Sequence, residues 1–133
     1  MNSSSPELRR ITQSRVLPAP RFRYTPAIQA GAFVFVSGLI GLDPTTGELA
    51  ASGAAAETTQ VLKNFRLLCE EQGWSVDRML IARVFCAGDG VAAEVNAAWD
   101  VFFADTEPPC RSFMVVKELP LKAAVEIEFQ LLA

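Results

Sequence analysis

The hydrophobic period of the sequence changes between strand-like and helix-like segments along the chain. Residues 54–72 predict an α-helix, because apolar side chains recur at i, i+1, i+4, i+7 and i+8 along one helical face. These side chains are Val61, Leu62, Phe65, Leu68 and Cys69. Runs of β-branched and aromatic residues at 32–38 and 78–88 predict buried strands on either side of this helix. Such a succession requires a fold in which helices pack on a sheet.

The second half of the chain repeats this change of period. Asp89 is a predicted N-cap for a second helix, whose apolar stripe is Val95, Ala98, Trp99, Phe102 and Phe103. Residues 108–133 predict two final strands joined at the turn "LPLK", and "LRRITQSRV" near the start has weaker strand character. The order of strands, helix, strand, helix and two strands predicts an α+β domain with both helices on one face of a sheet.

Length and composition favour a single cytoplasmic domain spanning 1–133. Residues 1–7, "MNSSSPE", are predicted to be mobile because Ser and Pro offer little to bury. The chain has neither an apolar signal region nor a run of 18 apolar residues, which argues against export and membrane spanning. Its three widely spaced cysteines indicate reduced thiols. Because half of the residues are hydrophobic, we expect part of the surface to be buried against other subunits.

The sequence contains no histidine, which excludes whole classes of chemistry. Ser-His-Asp and Cys-His catalysis are impossible, and so are histidine-based zinc sites. Acid–base chemistry must therefore use carboxylates, Tyr24, a thiol, a lysine or bound water. No nucleotide-binding glycine motif or zinc-protease motif is present, so no metal or cofactor is predicted. A net charge of −3 without a basic run argues against binding to nucleic acid.

The last two predicted strands carry the strongest candidates for a site. Val125, Ile127, Phe129 and Leu131 alternate with Glu126, Glu128 and Gln130, and the simplest interpretation of the polar side is a solvent-facing surface. If the two strands form a symmetric hairpin around 120–121, Arg111 and Glu126 share a face of the sheet. An arginine fork can bind a carboxylate through two hydrogen bonds, and a nearby carboxylate can activate water.

Three other polar residues have structural interpretations when each is considered alone. Tyr24 is expected to be a packed aromatic residue, and the Ser37 hydroxyl is expected to bond to the backbone before Gly38. Asn96, in the second predicted helix, is expected to be a surface amide. None of them indicates a function individually.

Three segments nevertheless keep the order and spacing of the motifs of a known family. They read "YTPAIQAGAFVFVSGLIGLDPTTGEL", "VNAAWDVFF" and "CRSFMVVKELPLKAAVEIE". They resemble the RidA, or YjgF, family of reactive-intermediate imine and enamine deaminases, whose members typically read "LVFVSGQIPLDPATGEL", "VNxxYxxFF" and "PARSxVxVxxLPxxAxVEIE". The resemblance covers about residues 22–132, which is nearly the whole chain.

The resemblance implies a chorismate-mutase-like α+β fold, with a mixed, mostly antiparallel sheet and two helices packed on one face. It implies a homotrimer with three clefts between subunits and no cofactor or metal. The implied reaction is the hydrolysis of enamines and imines, such as 2-aminoacrylate, to 2-keto acids and ammonia. The implied partner is a small anionic imino or keto acid, and neither a membrane nor a nucleic acid is implied.

The motifs also imply roles for individual residues. Arg111 matches the arginine that binds the substrate carboxylate, and Glu126, the first glutamate of "VEIE", matches the residue that positions and activates water. Four further residues match positions that line the cleft: Tyr24, Ser37, Gly38 and Asn96. The resemblance therefore predicts catalytic roles for Arg111 and Glu126 and substrate-binding roles for the other four.

Two departures from the family pattern leave alternatives open. Phe113, also expected in the substrate-binding set, stands where the family often has a cysteine, and "SGLIG" replaces "SGQIP". These changes predict a smaller or more apolar cleft. One alternative is a trimeric small-molecule binding module without turnover, such as a metabolite sensor. A ribonuclease or translation inhibitor is the weakest alternative, because the chain is acidic and lacks histidine.

Overall fold

The computed structural model describes residues 5–133, so most of the start predicted to be mobile lies outside the described residues. Within them the chain forms six strands and two α-helices. In chain order these are β1 (Leu8–Ile11), β2 (Ala27–Ala30), β3 (Phe33–Ile40), α1 (Ala54–Gln72), β4 (Met79–Cys86), α2 (Val91–Phe102), β5 (Cys110–Val115) and β6 (Val125–Leu132). Two short 3-10 turns precede β4 and β6, at Val76–Arg78 and Pro120–Lys122. No helix in this part of the chain is both long and apolar enough to cross a membrane.

All six strands form one sheet in the order β1-β2-β3-β6-β4-β5. Neighbouring strands are antiparallel except for β4 and β5, which are parallel. β3 and β4 lie on either side of β6 and are both antiparallel to it, so they are parallel to each other. α1 connects β3 to β4, and α2 connects β4 to its parallel neighbour β5. Both connections step in the same direction across the sheet. Because such connections are right-handed, both helices lie on one face. The predicted α+β class is confirmed.

The core lies between the two helices and this face of the sheet, which we call the helix face. Alternate residues of β6 point into it and are fully or almost fully buried, namely Val125, Ile127, Phe129 and Leu131. Phe129 stacks on Phe65 of α1 with ring centroids 4.0 Å apart. Burying side chains of this size contributes about 1.5–3 kcal/mol each. The alternation that predicted the inward side of β6 is therefore confirmed.

The opposite face of the sheet, which we call the open face, is not covered by either helix. It exposes large apolar side chains, with Phe33 46%, Phe35 47% and Met114 39% accessible to solvent. Arg83 and Glu128 form an ion pair on the same face, with 3.5 Å between Nη1 and Oε1. Exposed apolar side chains of this size on one face mark a candidate interaction surface.

The predicted hairpin of the last two strands is wrong. β5 pairs in parallel with β4, and β4 separates it from β6. The connecting segment is too long for a tight turn and passes across the end of β4, where Val116 N–H donates to Cys86 O at 2.9 Å and Ala87 N–H donates to Ala124 O at 3.0 Å. The two segments are therefore neighbours in sequence but not in the sheet.

Two local features also differ from expectation. Gly90, rather than Asp89, is the N-cap of α2; its φ of 72° lies in the left-handed region that favours glycine, and no side chain caps this helix. β2 was not predicted, because its short sequence "AIQA" lacks the β-branched and aromatic run of a typical strand. β2 forms through its pairing with β3, around Gly31 at φ 60°.

Candidate functional site

Glu126 lies on β6 and pairs with Ile40, next to an irregularity in β3. The register of the two strands shifts between Val36 and Leu39, so the bulge contains Ser37 and Gly38. A Cβ atom at Gly38 would lie 2.8 Å from Cδ of Glu126, which means that the carboxyl group occupies the space that glycine leaves free. The Ser37 hydroxyl donates a hydrogen bond of 2.7 Å to the carbonyl of Thr25 and ties the bulge to the preceding segment, as expected for this residue.

Burial changes the acidity of Glu126. Its carboxyl group is about half-buried, and this desolvation raises its pKa above the usual value, with a smaller contribution from the negative charge of Glu128. A carboxyl group with a raised pKa exchanges a proton at near-neutral pH more readily than an ordinary glutamate does. Glu126 is therefore suited to move a proton to and from water.

A pocket of about 610 Å³ opens beside this carboxyl group. Tyr24, Ser37, Gly38 and Glu126 all line it, so the structure brings together four of the residues that the sequence analysis selected. Tyr24 is 51% exposed here and is not the packed core residue expected from its type alone. Ligand pockets commonly have volumes between about 300 and 1,000 Å³. The space around Glu126 is therefore large enough for a metabolite.

A second cluster forms around Arg111 on β5. Its Nη1 donates a hydrogen bond of 2.8 Å to Oδ1 of Asn96 on α2. The guanidinium carbon lies 5.2 Å from the ring centroid of Trp99 and 5.1 Å from that of Phe113, within the range of cation–π attraction. We call Trp99 and Phe113 the aromatic clamp. The clamp and Asn96 fix the guanidinium plane, and the guanidinium has five N–H donors in total.

The two clusters lie on opposite faces of the sheet. Residues that pair directly across neighbouring strands point to the same face. Arg111 pairs with Ala82, which pairs with Phe129, and Phe129 contacts α1 on the helix face. Glu126 alternates with residues that point to the helix face, so its side chain belongs to the open face. The prediction that Arg111 and Glu126 share a face is wrong, because it rested on the hairpin that does not form.

A protein-family model described as Endoribonuclease L-PSP matches residues 14–131, nearly the whole chain. The chain belongs to this family, the RidA family. A RutC family protein of Aquifex aeolicus is 34% identical over 84% of this chain and 89% of its own length. The mouse protein named 2-iminobutanoate/2-iminopropanoate deaminase is 29% identical over 91% of this chain and 89% of its own.

Solved structures of the RidA family agree with the fold. The E. coli YjgF gene product has a TM-score of 0.83 and 30% identity, and the comparison covers 91% of this chain and 96% of that one. E. coli TdcF, solved with bound serine, has a TM-score of 0.85 and 27% identity, and the comparison covers 94% and 99% of the two chains. The RidA resemblance of the sequence is confirmed, and the roles of individual residues remain predictions.

One residue at each cluster of this RidA family protein was not predicted from the sequence as a site residue. Trp99 was assigned only to the apolar stripe of α2, although it lies three positions after Asn96 and so faces the same side of the helix. Leu39 was noted only as the departure in "SGLIG", and the structure places it in the wall of the Glu126 pocket. The spacing from Asn96 was the available signal for Trp99.

Proposed function

We propose that this RidA family protein is a cofactor-independent deaminase that hydrolyses 2-imino acids and their enamine tautomers to 2-keto acids and ammonia. The observation that carries the proposal is the half-buried carboxyl group of Glu126, with its raised pKa, set against Gly38 in a pocket. The printed name of the mouse relative supports the reaction class. The free thiols of Cys69, Cys86 and Cys110 are compatible with a reducing compartment, and we propose a cytoplasmic location.

In the proposed reaction, Glu126 carries protons between water and the substrate nitrogen. Water adds to the imine carbon, so that a C–O bond forms and the electron pair of the C=N bond moves to nitrogen. The Glu126 carboxylate accepts the proton of this water and transfers it to the nitrogen. A second transfer, from the new hydroxyl group to the nitrogen, is accompanied by formation of the C=O bond and cleavage of the C–N bond, whose electron pair leaves with ammonia. The raised pKa of Glu126 supports both directions of transfer.

Arg111 is proposed to bind the substrate carboxylate. A guanidinium can donate two parallel charge-assisted hydrogen bonds to a carboxylate, which fixes orientation as well as position. Asn96 accepts one hydrogen bond from Arg111, and the aromatic clamp restrains the rest of the group. These contacts hold the fork in place before substrate arrives, which reduces the entropy lost on binding.

We further propose that the two clusters meet between subunits of a homotrimer. A single chain holds Arg111 and Glu126 on opposite faces of its sheet, so one small substrate cannot contact both within that chain. β5 is an edge strand, which leaves Arg111 accessible to a neighbouring copy. The exposed Phe33 and Phe35 of the open face provide apolar surface for such a contact. The trimeric state rests on the family resemblance.

The deaminase proposal is tested with imines generated in situ by an amino-acid oxidase. Semicarbazide traps the imine, and a deaminase lowers the amount trapped. We expect Glu126→Gln to lower kcat by roughly 10²–10⁴-fold, the usual contribution of a positioned acid–base group, while keto-acid binding persists. Arg111→Ala is expected to weaken both binding and turnover.

The same assay decides the alternative of a binding module. Two features favour that alternative: Phe113 in the aromatic clamp, in place of a cysteine, and the altered rim "SGLIG". A wild-type protein that binds keto acids in calorimetry but accelerates the decay of no imine would support the binding module. Full activity of Glu126→Gln would instead refute the role assigned to Glu126.

A further inference from the structure

The walls of the Glu126 pocket are predominantly apolar. Six of the side chains that form them are Leu17, Phe22, Leu39, Ile40, Leu42 and Leu121. They come from the extended segment before β2, from β3 and the residues after it, and from the 3-10 turn before β6. A substrate with only a methyl side chain would leave most of this apolar surface in contact with water.

Two polar residues of the lining already form hydrogen bonds within the protein. Asn64 donates to the carbonyl of Leu42 at 2.7 Å and accepts from Gln60 at 2.8 Å. The Ser37 hydroxyl donates to the carbonyl of Thr25 at 2.7 Å. The remaining polar side chains of the lining are Arg21, Tyr24 and Glu126, which share an otherwise predominantly apolar space.

We infer that this pocket selects 2-imino acids with bulky apolar side chains, branched aliphatic or aromatic, over 2-iminopropanoate. The inference rests on the proposed deaminase function and adds a substrate class to it. Such a substrate would place its imine carbon at Glu126 and its side chain against the apolar walls. A pocket of about 610 Å³ has room for both parts.

Leu39 is the residue to which we assign this specificity. It pairs with Ile127, so its side chain points to the helix face, whereas Glu126 points to the open face. Both residues line the pocket, which therefore reaches both faces at the part of β3 beyond its pairing with β2. An amide at position 39 would add a donor and an acceptor that an apolar substrate side chain cannot satisfy, so bound apolar groups would be disfavoured. In an apolar pocket, one methylene group changes kcat/KM by roughly 10–200-fold.

The test compares imines made from alanine, leucine and phenylalanine by one oxidase. We expect kcat/KM to be at least about 10-fold higher for the leucine-derived and phenylalanine-derived imines than for the alanine-derived imine, after subtraction of decay in buffer. Leu39→Gln is expected to reduce this ratio by about 10-fold. Leu39→Met, which conserves volume and apolarity, is the matched control and is expected to retain the ratio.

Binding of the corresponding keto acids separates this inference from the deaminase proposal. Calorimetry with pyruvate, 4-methyl-2-oxopentanoate and phenylpyruvate measures the preference without turnover. Turnover of all three imines with the alanine-derived one preferred would overturn the apolar specificity and leave the deaminase proposal intact. No turnover, with tighter binding of the two larger keto acids, would refute the deaminase proposal and retain the specificity. Equal binding of all three keto acids without turnover would refute both.

Discussion

The environment of Glu126 combines partial burial with a second carboxylate, Glu128, two positions along the same strand. Both raise the pKa of Glu126 above the ordinary value for glutamate, about 4.3. Because the ionised form accepts the proton of water, we expect kcat/KM to fall at acidic pH with an apparent pKa above that value. Glu128→Gln removes the negative neighbour, and we expect it to shift the fall in kcat/KM, the acid limb of the pH profile, to lower pH.

Measuring kcat/KM between pH 4 and pH 8 checks this expectation. Glu70→Gln removes one negative charge from the exposed end of α1 and is the charge-matched control. It is expected to leave the profile unchanged. Superimposable profiles for Glu128→Gln and the wild type would show that another group controls the acid limb.

The raised pKa of Glu126 also affects stability. The folded state favours the protonated form, so the contribution of this group is fully present below the unfolded pKa of about 4.3 and is lost as pH rises through the higher folded value. Glu126→Gln cannot ionise. We therefore expect its Tm, relative to wild type, to be higher at pH 7 than at pH 4. Thermal unfolding at both pH values measures the two differences, and equal differences would contradict the raised pKa.

The guanidinium carbon of Arg111 lies 5.2 Å from the ring centroid of Trp99. A cation–π contact contributes about 0.5–2 kcal/mol, so its loss is expected to raise KM by roughly 2- to 30-fold while kcat changes less. We expect this for Trp99→Leu, with substantial recovery in Trp99→Tyr, which keeps an aromatic face.

The chain offers a matched control for the loss of an indole. Trp74, the other of the two tryptophans, is also buried but contacts Arg9 instead of Arg111. Trp74→Leu is expected to lower Tm without raising KM. A similar rise in KM for both leucine variants would show that Trp99 acts through general stability.

At the scale of elements, the bulge in β3 determines where the Glu126 carboxyl group can lie. Gly38→Ala would place a methyl group 2.8 Å from Cδ of that side chain and displace it. We expect kcat to fall by about 10-fold or more, since displacement of a reacting group by about 1 Å can cost 10²-fold. The change in Tm should be small, because the displaced atoms are the end of a flexible side chain.

Gly41 provides the opposite case within the same region. A Cβ atom there would lie 2.5 Å from the backbone carbonyl oxygen of Glu57 on α1, and backbone cannot move as a side chain does. Gly41→Ala is therefore expected to lower Tm by several degrees, with a smaller loss of kcat in the folded protein than Gly38→Ala. Thermal unfolding and kinetics of both variants check the contrast, and equal losses of kcat would contradict the proposed role of the bulge.

The elements also show what the sequence could and could not predict. The apolar stripe of α1 predicted its bounds, Ala54–Gln72, because helical contacts join residues close in sequence. Alternation predicted the inward side of β6, but it carries no information on which strands lie beside β6. The facing directions of Arg111 and Glu126 depend on pairing with β3 and β4. The motifs therefore selected residues that cluster in the structure, while the relation between the two clusters was predicted wrongly.

At the scale of the whole molecule, a site shared between chains predicts complementation. Arg111→Ala and Glu126→Gln chains are each expected to be almost inactive alone. In trimers assembled from an equal mixture, a cleft that takes Arg111 from one chain and Glu126 from the next is intact in about one case in four. We expect co-refolded mixtures to recover about one quarter of wild-type activity.

Mixing the two folded variants without refolding is the control for this experiment, because subunits that have not exchanged cannot form intact clefts. Sedimentation equilibrium on the same samples should give three chains per particle. Mixtures no more active than the separate variants would show that each site is contained within one chain.

The placement of Arg111 and Glu126 on opposite faces of the sheet has a consequence for how the activity scales. If a functional cleft exists only after association, the rate per chain obeys mass action and falls when the protein is diluted below the dissociation constant of the trimer. A dilution series followed by kcat per chain should then show a sigmoidal loss that added excess of Glu126→Gln chains partly reverses, because those chains supply Arg111 to the remaining wild-type subunits. The abundance of the protein in the cell would therefore determine both the number of chains and the fraction of those chains that form an active cleft.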